Sequence, residues 1–316
     1  MRALVTGGAG QDGMLLIPLL IKNGYDVISV TRNHIFYWNV SGKICLGPNK
    51  GIENPQFCNE ILEEFKPNLI FHLAAIHGPS TSGVNESLNY LPLMRACHVQ
   101  ITINILEWMK KYSSYSKLIY PLTSQLYKST DFPRHINESS LANPTNFYAE
   151  TKLEAWNLIK HYRHTHDLWV ACAILFRHTS KFAKSHFLYP TLARALHYSS
   201  EYRSESKFIE VFDALSTISM CAASDIIDGL MNLSRLDRCE DLVFGDNIGF
   251  TIRELLQSFV TYELNKKWEN FTLSSRIKVP QPYLLPDITR ATYLLKWQPK
   301  VTHLELLRES YLSFLS

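Results

Sequence analysis

The chain has 316 residues, of which 46% are hydrophobic and 19% charged, and its formal net charge is +3. That balance belongs to a globular enzyme of one large domain or two closely joined ones, and the small, dispersed charge argues against a nucleic-acid partner. No apolar run is long enough to span a bilayer and the N-terminus enters a strand directly, so no membrane partner and a cytoplasmic location are expected.

Arg2 to Val5 reads as a short strand. Thr6-Gly7-Gly8-Ala9-Gly10-Gln11-Asp12-Gly13 follows, and Met14 to Ile21 is a helix-length apolar run that stops before Gly24. Gly7, Gly10 and Gly13 have the spacing of a dinucleotide fingerprint: a tight turn, close approach of backbone to a pyrophosphate, and close helix–strand packing. The helix N-terminus would offer unpaired N–H groups to the phosphates. Pro18 removes a backbone bond inside this helix and is expected to be tolerated by lying near its first turns.

Asp26 to Val30 is the second strand, at βαβ distance. Thr31-Arg32-Asn33 then replaces the acidic residue that would bind the adenine ribose of NAD. An arginine there can pair with a 2′-phosphate, so Arg32 favours NADP over NAD, the plainer alternative being a solvated surface residue. The stretch from His34 to Pro55 is rich in aromatics, Gly and Asn and is read as loops around one short strand, Lys43 to Leu46. Cys58 to Phe65 is a helix and Asn68 to Leu73 a buried strand, with the small Ala74 and Ala75 at its carboxyl end, where a cofactor passes close. Leu91 to Lys111 reads as one long helix. Lys117 to Leu122 is a strand running into Thr123-Ser124-Gln125-Leu126-Tyr127.

Asn146 opens a helix that carries Tyr148 and Lys152 and ends near His166, and Leu168 to Phe176 is a further strand. Alternating strands and helices predict a Rossmann-like, doubly wound parallel sheet over residues 1–180. Residues 181–316 read as a smaller C-terminal substrate-binding region, with segments at about 208–245 returning to the sheet. Its elements are helices at 187–198, 224–232, 287–295 and 304–315, strands at 208–211 and 241–245, and a capping box at Thr251-Ile252-Arg253-Glu254. The six cysteines are scattered without a CxxC pair, which points to free thiols and not to a zinc site. His161, His164 and His166 sit at a helix end where cations suit the dipole, so no metal is expected there.

Tyr148 and Lys152 are four apart and share a helix face. A free phenol titrates near ~10, and an ammonium one turn away would favour the phenolate. With Thr123 to hold the substrate oxygen, this is equipment for taking a proton from a sugar hydroxyl while hydride leaves the same carbon for a nicotinamide.

The set resembles the extended short-chain dehydrogenase/reductases that modify nucleotide sugars, and among them is most similar to the GDP-mannose 4,6-dehydratases. The matching stretches are the Thr6–Gly13 turn, Phe71-His72-Leu73-Ala74-Ala75, Thr123–Tyr127, Tyr148–Leu153, Ile174–His178, Phe250–Leu255 and Leu294–Pro299. The resemblance implies catalysis by Thr123, Tyr148 and Lys152 and binding of NADP, or less favoured NAD. The cofactor would meet Gly7, Gly10, Gln11, Asp12, Gly13, Arg32, Leu73, Ala74, Ala75, Tyr148, Lys152, Leu175, Arg177 and His178. It implies a nucleotide-diphosphate sugar such as GDP-mannose as substrate, and a homodimer or homotetramer paired through helices 91–111 and 146–166. These enzymes oxidise C4, lose water across C5 and C6, and return the hydride to C6.

Four departures from the family pattern stand out. Gln125 replaces the glutamate that removes the C5 proton; a glutamine cannot do so. Elimination then needs another base, such as His77 or Tyr127. The alternatives are a nucleotide-sugar epimerase or 4-keto reductase, or a non-catalytic NADP-binding protein. Arg177 replaces an asparagine, Ile218-Ser219 an Arg-Asp pair, and His98 a structural asparagine; Arg276 is an approximate match for an arginine on the nucleotide phosphates.

Overall fold

The protein, seen in a computed structural model, is described over residues 1–39, 41–78, 84–128, 134–201 and 207–315. The chain weaves between two units. One comprises Met1–Lys128, Ser140–Leu175 and Ile227–Leu242; the other comprises Ser129–Ser139, Phe176–Ile226 and Val243–Ser316. The sequence reading places one boundary near 180. It also expects segments at about 208–245 to return to the sheet; in the structure residues 227–242 lie in the first unit and residues 134–139 in the second.

The first unit is built on β1 (Arg2–Thr6), whose Ala3, Leu4 and Val5 are completely buried. Hydrophobic on both faces, this strand suits only the middle of a covered parallel sheet. It pairs in parallel with β2 (Asp26–Val30) on one side and β5 (Leu69–His72) on the other. Beyond β5 lie β6 (Lys117–Thr123) and β7 (Val170–Leu175), again parallel. The last strand on that side is β8 (Leu242–Phe244).

At the opposite edge the expected loops with one short strand are a hairpin, β3 (His34–Asn39) and β4 (Gly42–Pro48), which joins β2 antiparallel. The eight-stranded order is β8-β7-β6-β5-β1-β2-β3-β4, so the sheet is mixed and not wholly parallel. The aromatics that obscured the period-2 pattern line both faces of the hairpin. Lys43 Nζ lies 3.9 Å over Phe36 and 4.7 Å over Trp38, and Tyr37 meets Phe65 edge-on.

The chain leaves β1 toward β2 and later crosses back to β5, so the topological switch point lies between β1 and β5. In an open α/β sheet, ligands enter the crevice at the strands' carboxyl ends there. Helix α1 (Gln11–Lys22) follows β1 and runs unbroken through Pro18, its eighth residue. Tolerance does not come from nearness to the first turn. Pro18 and Met14, whose carbonyl loses its usual donor, are both exposed, so water can satisfy that carbonyl. Helix α2 (Pro55–Phe65) is capped by Asn54, whose side chain accepts from Phe57 N–H.

The single long helix expected from Leu91 is α3 (Leu91–Arg95), a π turn (Ala96–Gln100) and α4 (Ile101–Tyr112). Helix α5 (Phe147–His166) starts at Asn146, which accepts from Ala149 N–H, and stops at a left-handed Asp167. No helix of the described residues is long and apolar enough to cross a membrane.

In the second unit, the helix Leu188–Glu201 and the helix His303–Leu315 enclose a core with Tyr189, Leu196, Leu256, Phe259 and Phe271. Lys207–Val211 pairs in parallel with Phe271–Ser275. Thr251 and Glu254 form the expected capping box of the helix Ile252–Ser258.

Candidate active site

The glycine turn is packed to the limit. Gly7 has φ +73°, and a Cβ there would stand 2.7 Å from Ala74 N. A Cβ on Gly13 would come within 2.5 Å of Gly8 Cα, and one on Gly8 would run into the Ser29 hydroxyl. Helix α1 can therefore approach β1 only with glycines at these places. Gly10 caps α1 without any side-chain hydrogen bond. The first turn stands at the positive end of the helix, and the cradle fits a dinucleotide pyrophosphate. Gln11 and Asp12, half-buried, open the helix. Arg32 is exposed just past β2, in a turn where the Thr31 hydroxyl donates to His34 O at 2.8 Å and accepts from His34 N–H.

Across the switch point, the loop after β5 is pinned to β1. Thr6 Oγ1 accepts from Ala74 N–H at 3.2 Å and lies 2.6 Å from His72 Nδ1. His72 Nε2 meets the Cys97 carbonyl at 3.1 Å. That carbonyl can only accept, so Nε2 carries the proton and Thr6 donates to Nδ1. Complete burial, with Lys152 nearby, drops the imidazole to about 3, so His72 is neutral. Leu73, Ala74 and Ala75 line this crevice half-buried.

Thr123 ends β6, Leu175 pairs beside it at the end of β7, and Tyr148 and Lys152 come from the first turns of α5. The Thr123 hydroxyl accepts from Gln125 N–H at 3.2 Å, and Thr123 stands close enough to the Tyr148 phenol to hold its pKa down. His77 stacks on Tyr148 with ring centroids 5.5 Å apart, and His98 meets the same ring edge-on at 5.5 Å.

The relation between Tyr148 and Lys152 differs from the one their spacing suggests. Burial and the charge of Asp12 push the phenol well above its usual value, against the opposing effect of Thr123. Lys152, 2% exposed, donates from Nζ to the Pro121 carbonyl at 2.9 Å and lies 4.4 Å over the Tyr120 ring. Burial brings its ammonium down to about 8. The lysine is thus anchored on β6 and does not hold the phenol as phenolate in this state.

Gln125 is tied down from α5: Asn146 Nδ2 donates to its Oε1 at 2.9 Å. Asn146 both caps α5 and fixes Gln125, a double role that only its N-cap position hinted at.

The remaining expected contacts belong to the second unit. Arg177 is exposed, and its carbonyl accepts from Cys221 N–H; His178 Nδ1 lies 2.9 Å from Phe176 O. Ser219 donates its hydroxyl to the Asp246 carbonyl, and Arg276 is paired on the surface with Glu210 at 3.0 Å.

A sequence model of GDP-mannose 4,6-dehydratase matches residues 4–310. The chain belongs to the GDP-mannose 4,6-dehydratase family. It is thereby an NAD(P)-binding nucleotide-sugar enzyme of the dehydratase and epimerase group. The chain is 24% identical to the human GDP-mannose 4,6 dehydratase, over 97% of this chain and 89% of that one. It is 23% identical to the Drosophila melanogaster enzyme, over 97% and 84%.

Solved structures share its fold. The UDP-glucose 4-epimerase of Thermotoga maritima with UDP-glucose superimposes with a TM-score of 0.78 at 20% identity, covering 100% of this chain and 99% of that one. RMD from Pseudomonas aeruginosa complexed with NADPH gives 0.76 at 17%, covering 99% and 98%. A dTDP-glucose 4,6-dehydratase from Bacillus anthracis with NAD gives 0.76 at 18%, covering 100% and 96%.

Proposed function

We propose that the protein is an NADP-dependent nucleotide-sugar 4,6-dehydratase acting on a GDP-sugar such as GDP-mannose. The observation that carries this reading is the cluster of Thr123, Tyr148 and Lys152 at the carboxyl ends of β6 and β7, beside a glycine cradle closed to any side chain. Bound, the nicotinamide supplies a hydride acceptor that can hand the hydride back, so no net oxidation results. Tyr148 would take the proton of the C4 hydroxyl as the phenolate, having first given up its own proton, a state that the positive nicotinamide of the bound cofactor and the Lys152 ammonium would favour, and Thr123 beside it orients the substrate oxygen. Lys152 brings a positive charge one helical turn away, held in place by Pro121 and Tyr120. Arg32 at the end of β2, where no acid stands, supports NADP over NAD.

The C4 ketone acidifies the C5 hydrogen, and a base must take that proton as the C6 hydroxyl leaves as water. Gln125 has no basic carboxylate, and its carbonyl oxygen is engaged by Asn146. We assign this step to His77, whose imidazole stacks on Tyr148. A second reading rests on the same glutamine: with its amide fixed and no carboxylate beside it, the site would stop at redox, as a nucleotide-sugar epimerase or 4-keto reductase.

Incubation with GDP-mannose and NADP, followed by mass spectrometry, tests these readings. Loss of one water, reduced by His77→Ala and raised by Gln125→Glu, is the expected result. An isomer of unchanged mass, or net NADPH consumption, would favour the second reading. Cofactor binding without turnover of GDP-, UDP- or dTDP-hexoses would overturn both.

A further inference from the structure

His98 has no place in the chemistry above, yet its side chain joins the loop after β5 to α5. It is completely buried on the π turn between α3 and α4. Its Nε2 lies 3.1 Å from Ile76 N–H, in the loop that follows β5. A backbone N–H can only donate, so Nε2 must be bare. Its Nδ1 lies 2.8 Å from Thr151 Oγ1 on α5. Thr151 in turn reaches the carbonyls of Phe147 and Tyr148, both at 3.0 Å, and these can only accept.

One proton arrangement satisfies every partner: Ile76 N–H to Nε2, Nδ1–H to Thr151, and the Thr151 hydroxyl to the first turn of α5. The backbone of His98 is held as well, since its carbonyl accepts from Tyr120 OH at 3.1 Å and from the Thr102 hydroxyl at 2.6 Å. Tyr120 is also the ring on which Lys152 rests.

We propose that His98, as the neutral Nδ1–H tautomer, is the positioning residue of Tyr148, locking the loop at Ile76 to the first turn of α5 and backing the phenol ring edge-on so that it stays in place. This rests on the reading of Tyr148 as the group that takes the C4 proton. The groups facing the imidazole favour its neutral form. Lys152 from α5 is cationic and disfavours a second proton, His72 from β5 is itself neutral, His77 comes from the following loop, and Tyr148 and Tyr120 are buried phenols that supply no negative charge. A second ring proton would point Nε2–H at Ile76 N–H and break the lock.

The test uses the full chain. With 15N-labelled histidine, assigned by His98→Asn, the His98 ring should show one protonated and one bare nitrogen, unchanged across about pH 5 to 8. A His98 that titrates in that window, or that carries its proton on Nε2, overturns the proposal. His98→Leu keeps bulk without hydrogen bonds and should lower kcat by up to about 100-fold with KM unchanged. It should also move the ring resonances of Tyr148, assigned by Tyr148→Phe. His98→Asn offers a donor and an acceptor and should restore most of both. Wild-type kcat and unmoved Tyr148 resonances in His98→Leu, or a folded His98→Asn no better than His98→Leu, would refute it. If the wild type turns over no nucleotide sugar, the proposed function fails, while the tautomer and the Tyr148 resonances still decide the role of His98.

Discussion

Lys152 is held in the fold at the expense of stability, and replacing it by methionine makes this measurable. The ammonium is buried, and its pKa falls from 10.5 to about 8. At about 1.4 kcal/mol per pH unit, the penalty on the charged form is about 3 kcal/mol. The sign follows from proton counting. Below about pH 8 both folded and unfolded chains hold the proton, and the fold carries the whole penalty. Between about pH 8 and 10.5 only the unfolded chain holds it, so stability rises through that window; above it the penalty is gone.

Lys152→Met removes this group and keeps the volume. It also leaves the Pro121 carbonyl without its donor, a pH-independent loss of about 1–3 kcal/mol. The decisive quantity is the difference between the two proteins, measured by urea unfolding with tryptophan fluorescence at a series of pH values. Relative to wild type, the variant should be favoured by about 3 kcal/mol more near pH 7 than near pH 10.5. Curves that run parallel over that range would show that Lys152 is not desolvated as the structure has it.

Four further outcomes are expected. Tyr148→Phe should lower turnover by about 100-fold or more while calorimetry shows cofactor affinity retained. Thr6→Val strips the acceptor from Ala74 N–H and the donor from His72, and should lower unfolding free energy by about 1–3 kcal/mol. Gly13→Ala places a methyl 2.5 Å from Gly8 Cα, and should cost about 2 kcal/mol or more in chemical denaturation and abolish NADPH binding followed by fluorescence. In the second unit, Thr251→Ala removes the capping box and should lower stability by about 1 kcal/mol in the same assay.

The parallel part of the sheet was legible because buried parallel strands are continuous apolar runs: Ala3-Leu4-Val5, Leu69 to Phe71 and Val170 to Leu175 have no other use in a globular chain. The capping box and the Asn146 start of α5 were legible because caps need particular side chains at fixed offsets. The hairpin from His34 to Pro48 was not. Its first strand carries aromatics on both faces, and its stability comes from β2 and from contacts such as Tyr37 with Phe65, which lie outside any local window. The π turn escaped for a related reason. Its extra residue is balanced by side chains far away, with His72 on the Cys97 carbonyl and Tyr120 on that of His98.

The residue types and spacings in the sequence by themselves determined the glycine cradle, the chain order of Thr123, Tyr148 and Lys152, and that position 125 carries an amide and no carboxylate. These are local facts: a turn needs its glycines, a helix face its period, and a base its chemistry. Only the tertiary structure decided where the proton-bearing groups stand relative to one another. It anchored Lys152 on Pro121, raised the phenol by burial, fixed Gln125 through Asn146, and placed a neutral His98 behind Tyr148. Each of these depends on desolvation and on hydrogen bonds between residues from 21 to 53 positions apart. Neither is a property of any residue until the chain has folded around it.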